Sequence, residues 1–264
     1  MRMMLGLIRP DSGEVRIKGH QFTNANRHLL RHIGAIIERP DLYGYLSGWD
    51  NLRMLANLSG KDINSSRLTQ VLELVGLRGR EKDKVRGYSQ GMKQRLGIAI
   101  ALVHDPDLLI LDEPTNGLDP QGIAEMRKLI TSLSRDHGKT VMVSSHLLYE
   151  IEQVASRMLI IHKGKKITEG TVSELMDPDD TLFDLQLDMD AGLEQLLKES
   201  TWITSVEAMQ PGSVSCRMHP DRMPEFSAWL VAAGAGIREI RSSHSLEAYF
   251  ISLTHDAAHS AGTI

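Results

Sequence analysis

The sequence contains one cysteine in 264 residues, Cys216, so no internal disulfide can staple the fold. A single thiol fits a reducing compartment better than a secreted scaffold. A basic excess is also missing: 30 Lys and Arg stand against 34 Asp and Glu, for a formal charge of −4 and a pI near 6.3. That balance argues against nucleic acid as a partner. Apolar runs such as Leu96–Val103 stop far short of the ~20 residues a bilayer span needs. Aromatic residues are few, at 5%. The opening Met1–Ile8 is too short for a signal peptide with its cleavage site, and reads as part of the fold. There is no internal repeat and no low-complexity tract.

What is present is ordinary globular usage, 41% hydrophobic and 24% charged, which excludes a chain disordered throughout, collagen-like or coiled from end to end. The length suits one large domain with an appendage, or two domains. The first half alternates strands and helices. Glu14–Lys18 places Val15 and Ile17 on one strand face, and Ile33–Ile37 is a short apolar run of the buried-strand kind. From Glu38 to Ser89 the character turns helical, with Leu68, Val71, Leu72 and Val75 at helical spacing. Gly91 then opens a helix over Met92–Val103, Leu108–Leu111 is an apolar strand, and Pro120–Arg135 is an amphipathic helix facing Ile123, Met126, Leu129, Ile130 and Leu133 inward. A strand at Val141–Ser144, a helix at Leu147–Ala155 and a hairpin over Met158–Glu169, turning at Lys163-Gly164, complete the series. Strand and helix in succession predict an α/β domain with a mainly parallel sheet.

An acidic, Pro-containing joint at Met176–Asp180 interrupts this pattern. Beyond it come Leu182–Leu187, a helix around Leu193–Leu197, strands near Ser205–Ala208 and Val214–Arg217, a helix over Pro224–Ala233 and a strand at Ile237–Arg241. These predict a small α+β domain over residues 176–254, followed by a frayed tail over 255–264.

Two stretches carry chemistry. In Leu108-Leu-Ile-Leu-Asp-Glu-Pro-Thr-Asn-Gly-Leu-Asp-Pro120 a buried strand ends abruptly in two carboxylates, at the sheet edge where ligands bind in open α/β folds. Asp112 suits a Mg²⁺ ion and Glu113 a general base; an acid pair alone is about equally a solvated turn. In Tyr88-Ser-Gln-Gly-Met-Lys-Gln-Arg95, Ser89 can cap the next helix and Gly91 lets backbone approach an anion at the positive end of the helix dipole. Taken singly, that stretch is more often an ordinary capped helix. The other histidines show no metal spacing, and Cys216 with His219 is too little for zinc.

Together, in this order, the two stretches resemble the nucleotide-binding subunits of ATP-binding cassette (ABC) transporters. Ser89-Gln90-Gly91-Met92-Lys93-Gln94 is similar to the family's signature, with Gln90 in place of the commoner Gly. Leu108–Glu113 resembles the Walker B strand with its glutamate, and Asn116-Gly-Leu-Asp119 the D-loop. His146, after Val143-Ser-Ser, falls where the family places a switch histidine on the γ-phosphate. The resemblance covers roughly residues 1–175, with a helical subdomain at about 39–90, and implies a P-loop NTPase-like fold. The small C-terminal domain, with Ser245-Leu-Glu-Ala-Tyr-Phe, resembles an extension on some members.

Two departures stand out. The family's Gly-x-x-x-x-Gly-Lys-Ser/Thr phosphate loop is missing: Gly138-Lys-Thr140 has Leu133 five residues ahead of Gly138 and leads into a strand, not a helix. Met1–Gly13 resembles the helix after that loop with its following turn, so the chain is expected to begin within a cassette, through a start assigned too far downstream or a true truncation, and to bind ATP poorly by itself. The second departure is Glu38, where the family usually has Gln. Glu there resembles the branch exporting bacitracin and lantibiotic peptides and suits Mg²⁺, a solvated charge being the alternative.

The resemblance implies ATP and Mg²⁺ as cofactors, with Asp112 and Glu38 toward the metal and Glu113 and His146 at the reacting phosphate. Ser89, Gln90, Gly91, Met92, Gln94, Asp119 and Glu38 would face nucleotide. It further implies a second cassette as dimer partner, identical or not, and a separate transmembrane permease contacting the insertion from Asp41 to Tyr88, where Tyr43, Tyr45 and Leu46 come first. The chain would then lie in the cytoplasm, peripheral to the membrane, as an exporter's ATPase. The alternative is a non-hydrolysing cassette serving as dimer partner or regulatory module.

Overall fold

A computed structural model of the chain describes residues 1–59, 62–175, 181–188, 197 and 200–243. The expected joint at Met176–Asp180, nearly all of the helix around Leu193–Leu197, the Ser245–Phe250 stretch and the tail lie outside the described residues. The chain packs as two units, Met1–Glu150 and Ile151–Ile264.

The first unit is built on a three-stranded parallel sheet of β3 (Ile33–Ile36), β4 (Leu108–Asp112) and β5 (Thr140–Ser144), with β4 in the centre. Leu109, Ile110 and Leu111 are fully buried because both faces of β4 are covered. Leu109 and Leu111 face the larger core; Ile110 joins Leu5, Ile17, Leu29 and Ile33 on the other side. Burying each such side chain stabilises the fold by about 1.5–3 kcal/mol.

Ahead of the sheet, β1 (Arg16–Ile17) and β2 (His20–Gln21) form a minimal hairpin. It is shorter than the expected Glu14–Lys18 strand because Lys18 and Gly19, at φ of 52° and 81°, turn the chain back at once. Over residues 2–8 there are turns and bends in place of the expected helix; Gly6, at φ 66°, takes the backbone out of the helical region.

The helical insertion contributes α1 (Gly48–Asn57) and α2 (Ser65–Leu74), capped by Ser47 and Asn64. The helix α3 (Gln90–Leu102) is apolar nearly all round and runs through the main core. It packs so closely on β3 that a Cβ on Gly34 would collide with the Ala101 carbonyl. At its C-terminus the Arg67 guanidinium of α2 donates to the carbonyls of Leu102 (2.8 Å) and Val103 (3.1 Å), pinning the insertion to the core helix. The helix α4 (Pro120–Arg135) buries Met126, Leu129, Ile130 and Leu133, with Ile123 only half-buried.

The helix α5 spans Leu148–Val154. In the second unit β6 (Arg157–His162) and β7 (Lys165–Thr171) form a hairpin, Lys163 and Gly164 both at positive φ, followed by the one-turn α6 (Val172–Leu175). By motif this hairpin falls inside residues 1–175, but its two strands form a sheet of their own. Next come β8 (Thr181–Asp188), β9 (Ser205–Gln210), β10 (Ser213–Met218), α7 (Met223–Ala232) and β11 (Gly236–Ser243). The four strands form an antiparallel sheet in the order β11-β8-β10-β9. Alternation along β8 and β10 puts Phe183, Leu185, Val214 and Cys216 on one buried face with Phe226 and Leu230 of α7.

Candidate functional site

The parallel sheet has two differently furnished ends. At the amino end of β4 the charges are tied up: Asp107 pairs with Lys18 (3.0 Å) and His32 (2.8 Å), and Asp105 with Lys139 (2.8 Å) and Arg67 (3.2 Å). Hydrogen bonds from Lys18 and His32 hold the Asp107 carboxyl below the usual carboxylate range. The carboxyl end is where acids and a histidine converge.

There, parallel pairing sets Asp112, the last residue of β4, beside Ser144, the last of β5. The Ser144 hydroxyl donates to Asp112 Oδ1 at 2.5 Å and accepts from the Glu113 N–H at 3.0 Å; the Ser144 carbonyl accepts from the same N–H at 3.2 Å. One serine therefore fixes both the metal-type carboxylate and the first peptide beyond the strand. Glu113 sits at φ 50°, left-handed for a residue with a Cβ, a conformation that costs roughly 1–2 kcal/mol and persists where surrounding bonds enforce it. The sharp turn brings its carboxylate to His146, with Oε2 2.8 Å from Nδ1. An ionised carboxylate only accepts, so Nδ1 carries the proton and Nε2 is left for another partner. The His146 side chain is 64% exposed and that of Glu113 30%, so the pair is open to a substrate and to water.

The loop after Glu113 runs to Asp119, which caps α4 by accepting from the Gly122 N–H at 2.8 Å. The other predicted stretch also forms a helix start: Ser89 caps α3, its hydroxyl accepting from the Met92 N–H at 3.2 Å. Ser89 is exposed, with Gln90, Gly91 and Met92 half-buried. The two stretches meet, since a Cβ on Gly91 would lie 3.8 Å from Leu118 Cδ2. Two further predicted residues have different surroundings. Gln94 is only 4% exposed, buried in the side of α3. Glu38, at φ 64°, lies two residues past the end of β3, whose Ile36 pairs with Leu111, and accepts from Arg2 in an exposed ion pair.

Sequence reasoning passed over Ser144 as a partner of both acids, and over Thr115, Ser145 and Glu150 behind them. Glu150 is 6% exposed and Thr115 7%. A signal for Glu150 existed: it lies on the same helical stripe as Leu147, Ile151 and Val154, a carboxylate where an apolar residue belongs.

Comparison with known proteins fits this geometry. The ABC transporter family model matches residues 1–116. The bacitracin transport ATP-binding protein BcrA of Bacillus licheniformis is 41% identical over 254 residues, 96% of this chain and 83% of that protein. The chain belongs to the ABC transporter ATP-binding proteins. A second relative of this ABC protein, the lantibiotic transport ATP-binding protein SrtF of Streptococcus pyogenes, is 45% identical over 169 residues, 64% of this chain and 71% of its own. The alignment with BcrA, unlike that with SrtF, extends over nearly the whole chain. Among solved structures, cbiO1 of Clostridium perfringens, part of the ABC transporter complex cbiONQ, shares the fold at a TM-score of 0.60 and 24% identity, covering 66% of this chain and 72% of its own. The fold is thus the α/β, P-loop NTPase-like one. Among the described residues no helix is long and apolar enough to cross a membrane.

Proposed function

We propose that this ABC protein hydrolyses Mg²⁺-ATP and couples the reaction to export of a peptide or other small molecule through a separate membrane subunit. The observation that carries the reading is the Glu113–His146 pair, 2.8 Å apart and one residue beyond Asp112 at the end of a buried parallel strand.

The residues present suit the metal. Ser144 engages Oδ1 of Asp112, and among the described residues the other carboxylate oxygen has no hydrogen-bond partner. Mg²⁺ takes one or two carboxylates and completes its shell with waters and phosphate oxygens, so Asp112 would suffice as its protein ligand. Bound Mg²⁺-ATP supplies the phosphoryl group and spreads its charge over the metal. The chain's own residues do the rest. Asp112 would hold the cation, Glu113 would take a proton from the attacking water, and His146 fixes the Glu113 carboxylate through Nδ1, leaving Nε2 to donate to or accept from the phosphate group. The exposed α3 start, with Ser89 and Gly91 beside the Leu118 turn, suits a nucleotide held by a second cassette, and the insertion with exposed Tyr43 and Tyr45 suits the membrane subunit.

In a second reading the chain lends its α3 start, where Ser89 is exposed and Gly91 lies beside Leu118, to another cassette without turning over ATP itself. Glu113→Gln in the complex with the membrane partner separates the two. Turnover falling about 10²–10⁴-fold with ATP retained supports hydrolysis at this chain's own site; unchanged turnover favours the second reading.

A further inference from the structure

Glu150 is a buried carboxylate whose hydrogen bonds go to Thr115 and Ser145 rather than to Asp112, Glu113 or His146. Burying a carboxylate is costly unless hydrogen bonds compensate, and here they come from two directions. Its Oε2 accepts from the Thr115 hydroxyl at 2.5 Å and from the Ser145 hydroxyl at 3.3 Å. Thr115 lies two residues past Glu113, and Ser145 immediately precedes His146. The links continue outward. The Thr115 carbonyl accepts from the Leu118 N–H at 3.1 Å, on the turn that ends at the Asp119 cap, and the Ser145 hydroxyl accepts from the Leu147 N–H at 3.0 Å.

We propose that Glu150 is a positioning residue whose carboxylate ties the loop carrying Glu113 to the loop carrying His146, so that the two keep one geometry and move together. An apolar side chain would fill the same place with no desolvation cost, so what the carboxylate adds is direction: a link of fixed length between two loops that share no backbone ladder beyond Ser144. The link explains how an open pair such as Glu113–His146 can be held on sharply turned backbone. The proposal rests on the roles assigned above to Glu113 and His146, but the link itself can be tested without turnover.

The test uses the full-length chain and three substitutions. Glu150→Leu fills the space without an acceptor, Glu150→Gln keeps an acceptor oxygen, and Thr115→Val removes one donor at nearly constant shape, so it reports even if Glu150→Leu fails to fold. Amide hydrogen exchange is followed at residues 113–119 and 144–148. Glu150→Leu and Thr115→Val should raise exchange in both segments together, about tenfold or more, while β3 and β4 keep their protection. Glu150→Gln should change it less than about threefold, and the Thr115→Val, Glu150→Leu double variant should match Glu150→Leu alone, because both remove one link. In the assembled transporter the kcat for ATP should fall roughly 10–100-fold with KM within about threefold, and Glu150→Gln should recover most of it. Exchange rising in one loop only or in neither, additive effects in the double variant, or an undiminished kcat in Glu150→Leu would each overturn the proposal. A wild-type complex that hydrolyses no ATP would refute the proposed function instead, leaving the exchange arm to decide the link.

Discussion

The two larger sheets among the described residues bury their strands differently, and the difference bears on where the proposed chemistry sits. In the parallel sheet β4 is covered on both faces, so its interior is uniformly apolar and polar groups gather at its ends, where Asp112, Ser144, Glu113 and His146 meet. In the antiparallel sheet one face packs on α7, so buried apolar residues alternate with more exposed ones along β8 and β10, and polar side chains pair across strands, as Ser215 does with Asp184, with no loop or strand end gathering them. The first arrangement suits the proposed site; the second suits a stable body. If that contrast is right, damage to the second sheet should cost stability without touching the acid pair, and damage at the end of the first should do the reverse.

The largest expected effect tests the first half of that statement. Phe226 is fully buried and stacks on Trp229 with centroids 5.8 Å apart. Phe226→Ala should destabilise the second unit by about 3–5 kcal/mol, seen as lost exchange protection in β8, β10 and α7 with β3 and β4 unchanged. Equal loss in β4 would show that the units are not separately stabilised, and the contrast would fail.

Next is Ser144→Ala, which removes the donor to Asp112 and one acceptor from the Glu113 N–H. It should cost about 1–3 kcal/mol of stability and lower kcat roughly 10–100-fold, measured by denaturant unfolding and by turnover in the complex. A variant with unchanged kcat would mean that Asp112 and Glu113 are held by the strand alone.

Smaller still is the Asp119 cap. Asp119→Ala should cost about 1 kcal/mol and Asp119→Asn far less, because the amide oxygen can still accept from the Gly122 N–H. Should Asp119→Asn retain stability yet lose turnover in the complex, Asp119 has a role across a dimer that its cap does not explain.

How much of this was legible beforehand follows physical lines. Leu108–Asp112 is legible as a buried strand from its four apolar residues, and its acids gain meaning only together with the Ser89 stretch upstream. The Ser89 cap, the Pro120 helix start and the Lys163-Gly164 turn are local chemistry and are read locally. Ser144 could not be read this way, because its two bonds depend on the register between strands separated by more than twenty residues. Nor could the burial of Gln94, since α3 is enclosed nearly all round and its periodicity marks no solvent face. The 3₁₀ segment over Asn24–His32 also escaped notice: it buries only Leu29, and Asn26 breaks its helical backbone.

Cys216 gives the finest test, because it asks whether a reactive type of side chain in the second sheet is as inert as the contrast requires. The thiol is fully buried between Val214 and Met218 on the packed face of β10. Burial first, and the Asp184 carboxylate second, push its pKa from 9.0 to about 11. At pH 8 the thiolate fraction is therefore on the order of 10⁻³, and alkylation should run at least about 100-fold slower than in the unfolded chain. The same shift couples to stability. The folded state holds the proton more tightly than the unfolded one, so the contribution is complete below about pH 9 and drains away as the pH rises toward 11. Over that window wild type should lose more stability than Cys216→Ala, which has no proton to release. Rapid alkylation of the folded chain at pH 8 would place a reactive group in the second sheet, and chemistry would no longer belong to the first alone.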